Sequence, residues 1–95
     1  MSEPLTDRQK ILLEADDRVR ETKPYLAARF KKAAMPVETI STLFSSDFPD
    51  PGIGIGVELS RLPTAEETPQ LPKRYDGIPV KYVMRKDGKI LNVTW

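Results

Sequence analysis

Hydrophobic positions along this chain follow a period of two near its end, a helical period near its start, and neither in one stretch between. From Ile78 onward the alternation is strict: Ile78, Val80, Tyr82 and Met84, then Leu91, Val93 and Trp95, are apolar at every second position. Period two marks a strand with one buried face. Between the two runs lies Asp87-Gly88, which suits the positive φ that a type I′ turn needs at both central residues. The prediction is a β-hairpin in which Lys86 faces Lys89, Met84 faces Leu91, Tyr82 faces Val93 and Val80 faces Trp95. Its second face pairs Arg85 with Ile90, Val83 with Asn92 and Lys81 with Thr94. A slip of one residue would mix the faces and bury lysine, so the register is well determined. The first face is expected to be core, with Trp95 a structural residue.

Gly52 to Ser60 alternates in the same way, with Ile53, Ile55, Val57 and Leu59 on one face and Gly54, Gly56, Glu58 and Ser60 on the other. It is read as another strand, and its two same-face glycines as a place where something approaches closely. At the other end, Thr6 and Gln9 stand three residues apart as in a capping box, ahead of a helix over about Asp7 to Glu21. Its inward stripe is Ile11 or Leu12, Ala15, Val19 and Thr22. Pro24 either kinks this helix or opens a second one, in which Leu26, Ala27, Phe30, Ala33 and Ala34 have the spacing of a buried face. Val37 to Phe44 has the length of a short strand, but its apolar positions 37, 40, 43 and 44 fit neither period cleanly, and residues 36–51 are read as irregular with that alternative open. Arg61 to Asp76, with Pro63, Pro69 and Pro72, is a connection too long for a tight turn, of the kind that tends to be functional or mobile.

Together these elements predict one small α+β domain over residues 1–95. One or two N-terminal helices (1–35) lead through an irregular connector (36–51) to a small, mainly antiparallel sheet (52–95) ending in the hairpin. The expected core is Leu12, Val19, Leu26, Phe30, Ile53, Ile55, Val57, Leu59, Ile78, Val80, Tyr82, Met84, Leu91, Val93 and Trp95.

Composition narrows the chemistry. The 95 residues include no cysteine and no histidine, which removes disulfides, thiol nucleophiles, Cys/His zinc sites and histidine-based catalytic dyads from this chain. A non-enzyme with no cofactor is the expectation. No apolar run is long enough to span a membrane and no leader pattern opens the chain, so a cytoplasmic protein without membrane partners is expected. The net charge of +1 conceals segments. Residues 1–34 carry eight Lys/Arg against six Asp/Glu, residues 35–70 one against six, and residues 71–95 six against two. An acidic middle and a basic hairpin either screen one another within the fold or face different partners, and mutual screening is the simpler account.

Apparent motifs weaken when their mechanics are checked. Gly52-Ile53-Gly54-Ile55-Gly56 is followed by an extended pattern and Glu58, whereas phosphate loops open a helix and avoid an acid there. Asp47 to Asp50 lacks the ligand density and central glycine of a calcium loop. Glu14/Arg18 and Asp16/Arg20 are ordinary helix ion-pair spacings. Lys73, Arg74, Lys81, Arg85, Lys86 and Lys89 form a basic cluster near Tyr75, the basis of a nucleic-acid reading. Phe44, Phe48 and the Val83/Ile90 diagonal are apolar groups outside the predicted core. Either the helix near residues 24–34 covers them, or they form a partner surface with Lys81 and Arg85.

GIGIGVELSRLP followed by LPKRYDGIPVKYVMRKDGKI resembles the opening of some bacterial proteins related to trypsin-like peptidases, in which a V-G-I-G-x-G strand precedes an L-P-x-x-x-D-G-x-P-V hairpin. The resemblance covers the last half of the chain. It implies that Ile53 to Leu59 lies near Ile78 to Met84 in one sheet, and it carries over no catalytic residue. The leading expectation is a non-catalytic protein-binding or regulatory module, binding another protein or itself. The alternative is a nucleic-acid accessory protein acting through the basic hairpin.

Overall fold

In a computed structural model that describes residues 6–95, the N-terminal helix begins at the expected capping box. The Thr6 hydroxyl accepts from the Gln9 N–H, and the Gln9 side chain accepts from the Thr6 N–H. Leu5, which precedes the cap, lies outside the described residues. Helix α1 spans Asp7–Lys32 without a break, so the two helical segments are one element with Pro24 inside it. Pro24 is exposed, and the Arg20 carbonyl that it leaves without a helical N–H can therefore turn to water. The helix ends in a Schellman-like turn: the Met35 N–H reaches the Phe30 carbonyl at 3.0 Å, and Ala34 adopts a left-handed φ of 55°.

Five strands follow: β1 (Val37–Phe44), β2 (Ile53–Leu59), β3 (Arg74–Tyr75), β4 (Ile78–Lys86) and β5 (Lys89–Val93). They form a mixed sheet in the order β1-β2-β4, with β3 and β5 both pairing β4. Three pairings are antiparallel, and the central one, β2 with β4, is parallel. Parallel neighbours cannot be joined by a tight turn. Residues 60–77 are the crossover this requires, which gives the long connection a structural role. Its Leu71 is buried in the main core, and the Tyr82 hydroxyl donates to the Pro72 carbonyl. Arg61 and Glu67 pair at 2.7 Å within the crossover, while Thr64 and Glu67 exchange backbone and side-chain hydrogen bonds.

The stretch read as irregular is corrected at its first half, because Val37–Phe44 is the edge strand β1. Its period was obscured by a bulge. Val37 pairs with Leu59 but Thr39 with Glu58, so residue 38 is extra and shifts the alternation by one. Two Asp-Gly turns shape the other side of the sheet. Asp87-Gly88 joins β4 to β5 with φ of 52° and 77°, and Asp76-Gly77 joins β3 to β4 with φ of 53° and 76°.

Val19, Leu26 and Phe30 of α1 bury against Ile53, Ile55, Val57 and Leu59 of β2 and Ile78, Val80 and Tyr82 of β4. Each large apolar side chain removed from water there contributes about 1.5–3 kcal/mol. Phe30 meets Tyr82 edge to face at 6.5 Å. The hairpin register is as expected through Lys86/Lys89, Arg85/Ile90, Met84/Leu91, Val83/Asn92 and Tyr82/Val93.

It stops there. The expected Val80/Trp95 and Lys81/Thr94 pairs do not continue the ladder, because the Val80 N–H is taken by the Lys73 carbonyl at 2.9 Å. The chain leading into β3 occupies that part of the β4 edge. Five residues expected in the core are less covered: Leu12, Met84 and Val93 are half-buried, and Leu91 and Trp95 are exposed.

Candidate functional site

Alternation on β4 puts Pro79, Lys81, Val83 and Arg85 on the side of the sheet away from α1, and pairing adds Ile90 and Asn92 from β5. The helix packs on the opposite face, so it does not cover Val83 or Ile90. Lys81, Val83, Arg85 and Ile90 thus share one face, as the sequence suggested. Phe48 joins them from the β1–β2 connection, where its ring lies over Gly54: a β-carbon at Gly54 would stand 2.8 Å from that ring and 2.5 Å from the Pro79 carbonyl. The close approach expected at the paired glycines is this ring together with the Leu43 side chain, which sits over Gly56. Phe44 does not belong to this face. Its partner on β2 is Ile53, which places it on the helix side, at the end of an edge strand and 65% exposed.

Most of the basic groups on this face are already matched by acids. Lys81 pairs with Asp47 at 3.0 Å, and Arg85 pairs with Glu58 at 3.2 Å, where Glu58 also accepts from the Thr39 hydroxyl. Both acids come from the negatively charged middle segment, so that segment and the hairpin screen each other. Exposed pairs of this kind contribute about 0.2–1 kcal/mol each. Their larger effect here is to occupy two of the cations that a phosphate backbone would need.

Three of the exposed large apolar side chains lie on β5 or just beyond it. Ile90 on one face is 64% exposed; Leu91 on the other is 44% and Trp95 is 41% exposed. Trp95 leans on Tyr82 with ring centroids 4.9 Å apart, and Lys73 sits 5.9 Å over its ring while donating to the Trp95 carbonyl at 3.2 Å. Ile90 and Leu91 lie beside Lys86 and Lys89 at the turn, with Asp87 the one acid there, whereas Trp95 lies at the other end of β5. Sequence reasoning misassigned Leu91 and Trp95 because alternation reports which face a residue occupies, and carries nothing about how far the helix reaches.

Among the described residues three ionisable groups are displaced from their ordinary range, by burial or by contacts within the fold. Burial pushes the Tyr82 hydroxyl up, with Arg29 acting weakly the other way. Arg61 holds the Glu67 carboxyl down at about 2, helped by the Thr64 N–H, and Glu67 in turn raises Arg61. The Glu67 contribution is thus complete above the ordinary carboxylate range and is lost as pH falls through about 2. Among the described residues no group of three or more acids or other ligands is placed to hold a metal ion, and no helix is long and apolar enough to cross a membrane. Comparison with protein-family models, with curated proteins and with solved structures finds no match.

Proposed function

We propose that this chain is a non-catalytic protein-binding module whose recognition surface is the outer part of the β4–β5 hairpin. The observation that carries the reading is the apolar surface left uncovered beside the turn, Ile90 on one face and Leu91 on the other, next to the exposed Lys86 and Lys89. Large exposed apolar side chains rimmed by charge are typical of contact surfaces, and an aromatic or aliphatic anchor inside a polar rim is the usual arrangement of binding energy. The net positive rim favours a partner that presents acidic residues around an apolar centre.

The nucleic-acid alternative has weaker support. Two of its six cations, Lys81 and Arg85, are engaged by Asp47 and Glu58, Tyr82 is buried, and the Tyr75 and Trp95 rings already have Arg29 and Lys73 over them. Affinity capture from the native cell, comparing the wild-type chain with a Leu91→Ser/Ile90→Ser variant, tests the proposal. A protein retained by the wild type and lost by the folded variant is the expected result. Identical captured sets would refute the hairpin as the surface, and salt-sensitive retention of RNA or DNA by the wild type would favour the alternative.

A further inference from the structure

The sheet has a second open boundary, the outer edge of β1, and its backbone polarity can be worked out. The Ser45 N–H donates to the Gly52 carbonyl at 2.9 Å, which makes Ser45/Gly52 a hydrogen-bonded pair of the antiparallel β1–β2 ladder. Such pairs alternate. Leu43/Gly54 and Ser41/Gly56 are therefore bonded in the same way, and the residues between them, Ile40, Thr42 and Phe44, point their N–H and C=O groups away from β2. Among the described residues no strand pairs with this edge. The side chains of Ile40, Thr42 and Phe44 lie on the helix side, opposite Val57, Ile55 and Ile53. Beside them runs a groove of about 630 Å³ between α1 and β1, lined by Ala27, Phe30, Met35 and Ile40 and bordered by Lys23, Lys31 and one acid, Glu38.

Edge strands are ordinarily guarded by charge, proline or shortness. The far side of the sheet follows that rule, with a two-residue β3 and a five-residue β5 that starts at Lys89. β1 is guarded only at its start, by Glu38 and the bulge there: it is eight residues long, and from Thr39 to Phe44 it contains no charge and no proline.

We propose that β1 pairs with β1 of a second copy of this chain, antiparallel about a two-fold axis at Thr42, to make one continuous ten-stranded sheet. The strand is self-complementary in that register. Thr42 faces Thr42 of the other copy, and Ile40 of each faces Phe44 of the other, on the helix side where Phe44 is now exposed. Threonine pairs and aromatic–β-branched pairs are favourable cross-strand neighbours. Every outward N–H of Ile40, Thr42 and Phe44 then meets a carbonyl of the opposite copy. On the other face Ser41 meets Leu43. Each Phe44 ring comes to rest beside Ile40, at the mouth of the partner's groove. Because helix-side residues meet helix-side residues, both helices lie on the same face of the joined sheet, and Lys23 and Lys31 of each approach the shared boundary. Added salt should tighten the association.

The test combines mass and register. Sedimentation equilibrium of the wild-type chain should give twice the 10.7 kDa chain mass, with the dimer fraction rising with salt. Thr42→Pro removes an outward N–H and leaves the β1–β2 ladder intact; it should sediment as a single chain with an unchanged far-ultraviolet spectrum. The chain has no cysteine of its own, so single cysteines report pairing cleanly. Residues of a hydrogen-bonded antiparallel pair have Cα atoms about 5.5 Å apart, within disulfide reach. Thr42→Cys should therefore cross-link with itself under mild oxidation. Ile40→Cys and Phe44→Cys should not do so separately, yet should cross-link when the two variants are mixed. If Thr42→Pro proves unfolded, this cysteine pattern alone decides. A single-chain mass up to about 1 mM, or cross-linking through Leu91→Cys in place of Thr42→Cys, would overturn the proposal.

Discussion

The two halves of β4 follow one alternation and end in different environments. On the helix side Ile78, Val80 and Tyr82 are buried, while two residues further along Met84 is only half-buried and its partner Leu91 is exposed. Nothing in the local pattern separates them. What separates them is distance from the cover: α1 lies over β1 and β2, the crossover lays Leu71 and Pro72 against Tyr82, and neither extends over the hairpin's outer half. A strand's period encodes its facing, and burial is decided by elements far away in the chain.

The contrast can be sharpened by substitution, read by chemical denaturation. Leu26→Ala or Ile55→Ala empties the covered part and should cost about 2–5 kcal/mol, whereas Leu91→Ala on the same face of the hairpin should cost under ~1 kcal/mol. Equal losses would mean that the hairpin tip is covered in solution. Gly54→Ala drives a β-carbon into the Pro79 carbonyl and the Phe48 ring, and should cost about 1–3 kcal/mol through forced displacement. Tyr82→Phe, at the boundary of the two regions, should cost about 1 kcal/mol for the lost hydrogen bond to Pro72.

The same hydroxyl gives an alkaline signature. Its folded pKa is raised, so its contribution is complete below the ordinary phenol value of about 10 and is lost as pH rises towards the higher folded value. Wild-type stability should decline above about pH 10, and Tyr82→Phe should flatten that decline. Smallest of all, Leu91→Ser with Ile90→Ser should change stability by only about 0.5 kcal/mol while abolishing partner capture.

Much of the fold was legible because local chemistry agreed with global structure. The Thr6/Gln9 cap, the Asp87-Gly88 turn, the hairpin register and the inward face of β2 each rest on a short-range rule. β1 is masked because one bulged residue breaks its period, and the Asp76-Gly77 turn, visible in the L-P-x-x-x-D-G-x-P-V hairpin pattern, follows a β3 of two residues that is too short to show a period. The end of the β5 ladder was not legible at all, since it depends on Lys73 reaching the Val80 N–H first. Of the residues put forward for the site, Lys81, Val83, Arg85 and Ile90 share one face as the hairpin register predicts, and Phe48 reaches that face through its contact with Gly54. Phe44 belonged elsewhere because the bulge had hidden which way β1 faces.

The parallel β2–β4 pairing has a consequence for how the chain reaches this structure. Antiparallel neighbours β1 and β2, and likewise β3, β4 and β5, are joined by short connections and can meet within microseconds of one another, but β2 can recruit β4 only after the 60–77 segment has closed into a large loop. The central seam is thus the strand pairing of largest sequence separation in the sheet. Mutations there, such as Val57→Ala or Val80→Ala, should mainly accelerate unfolding, and those in the Asp87-Gly88 turn should slow folding; φ-values higher at the seam than at the turn would reverse that order.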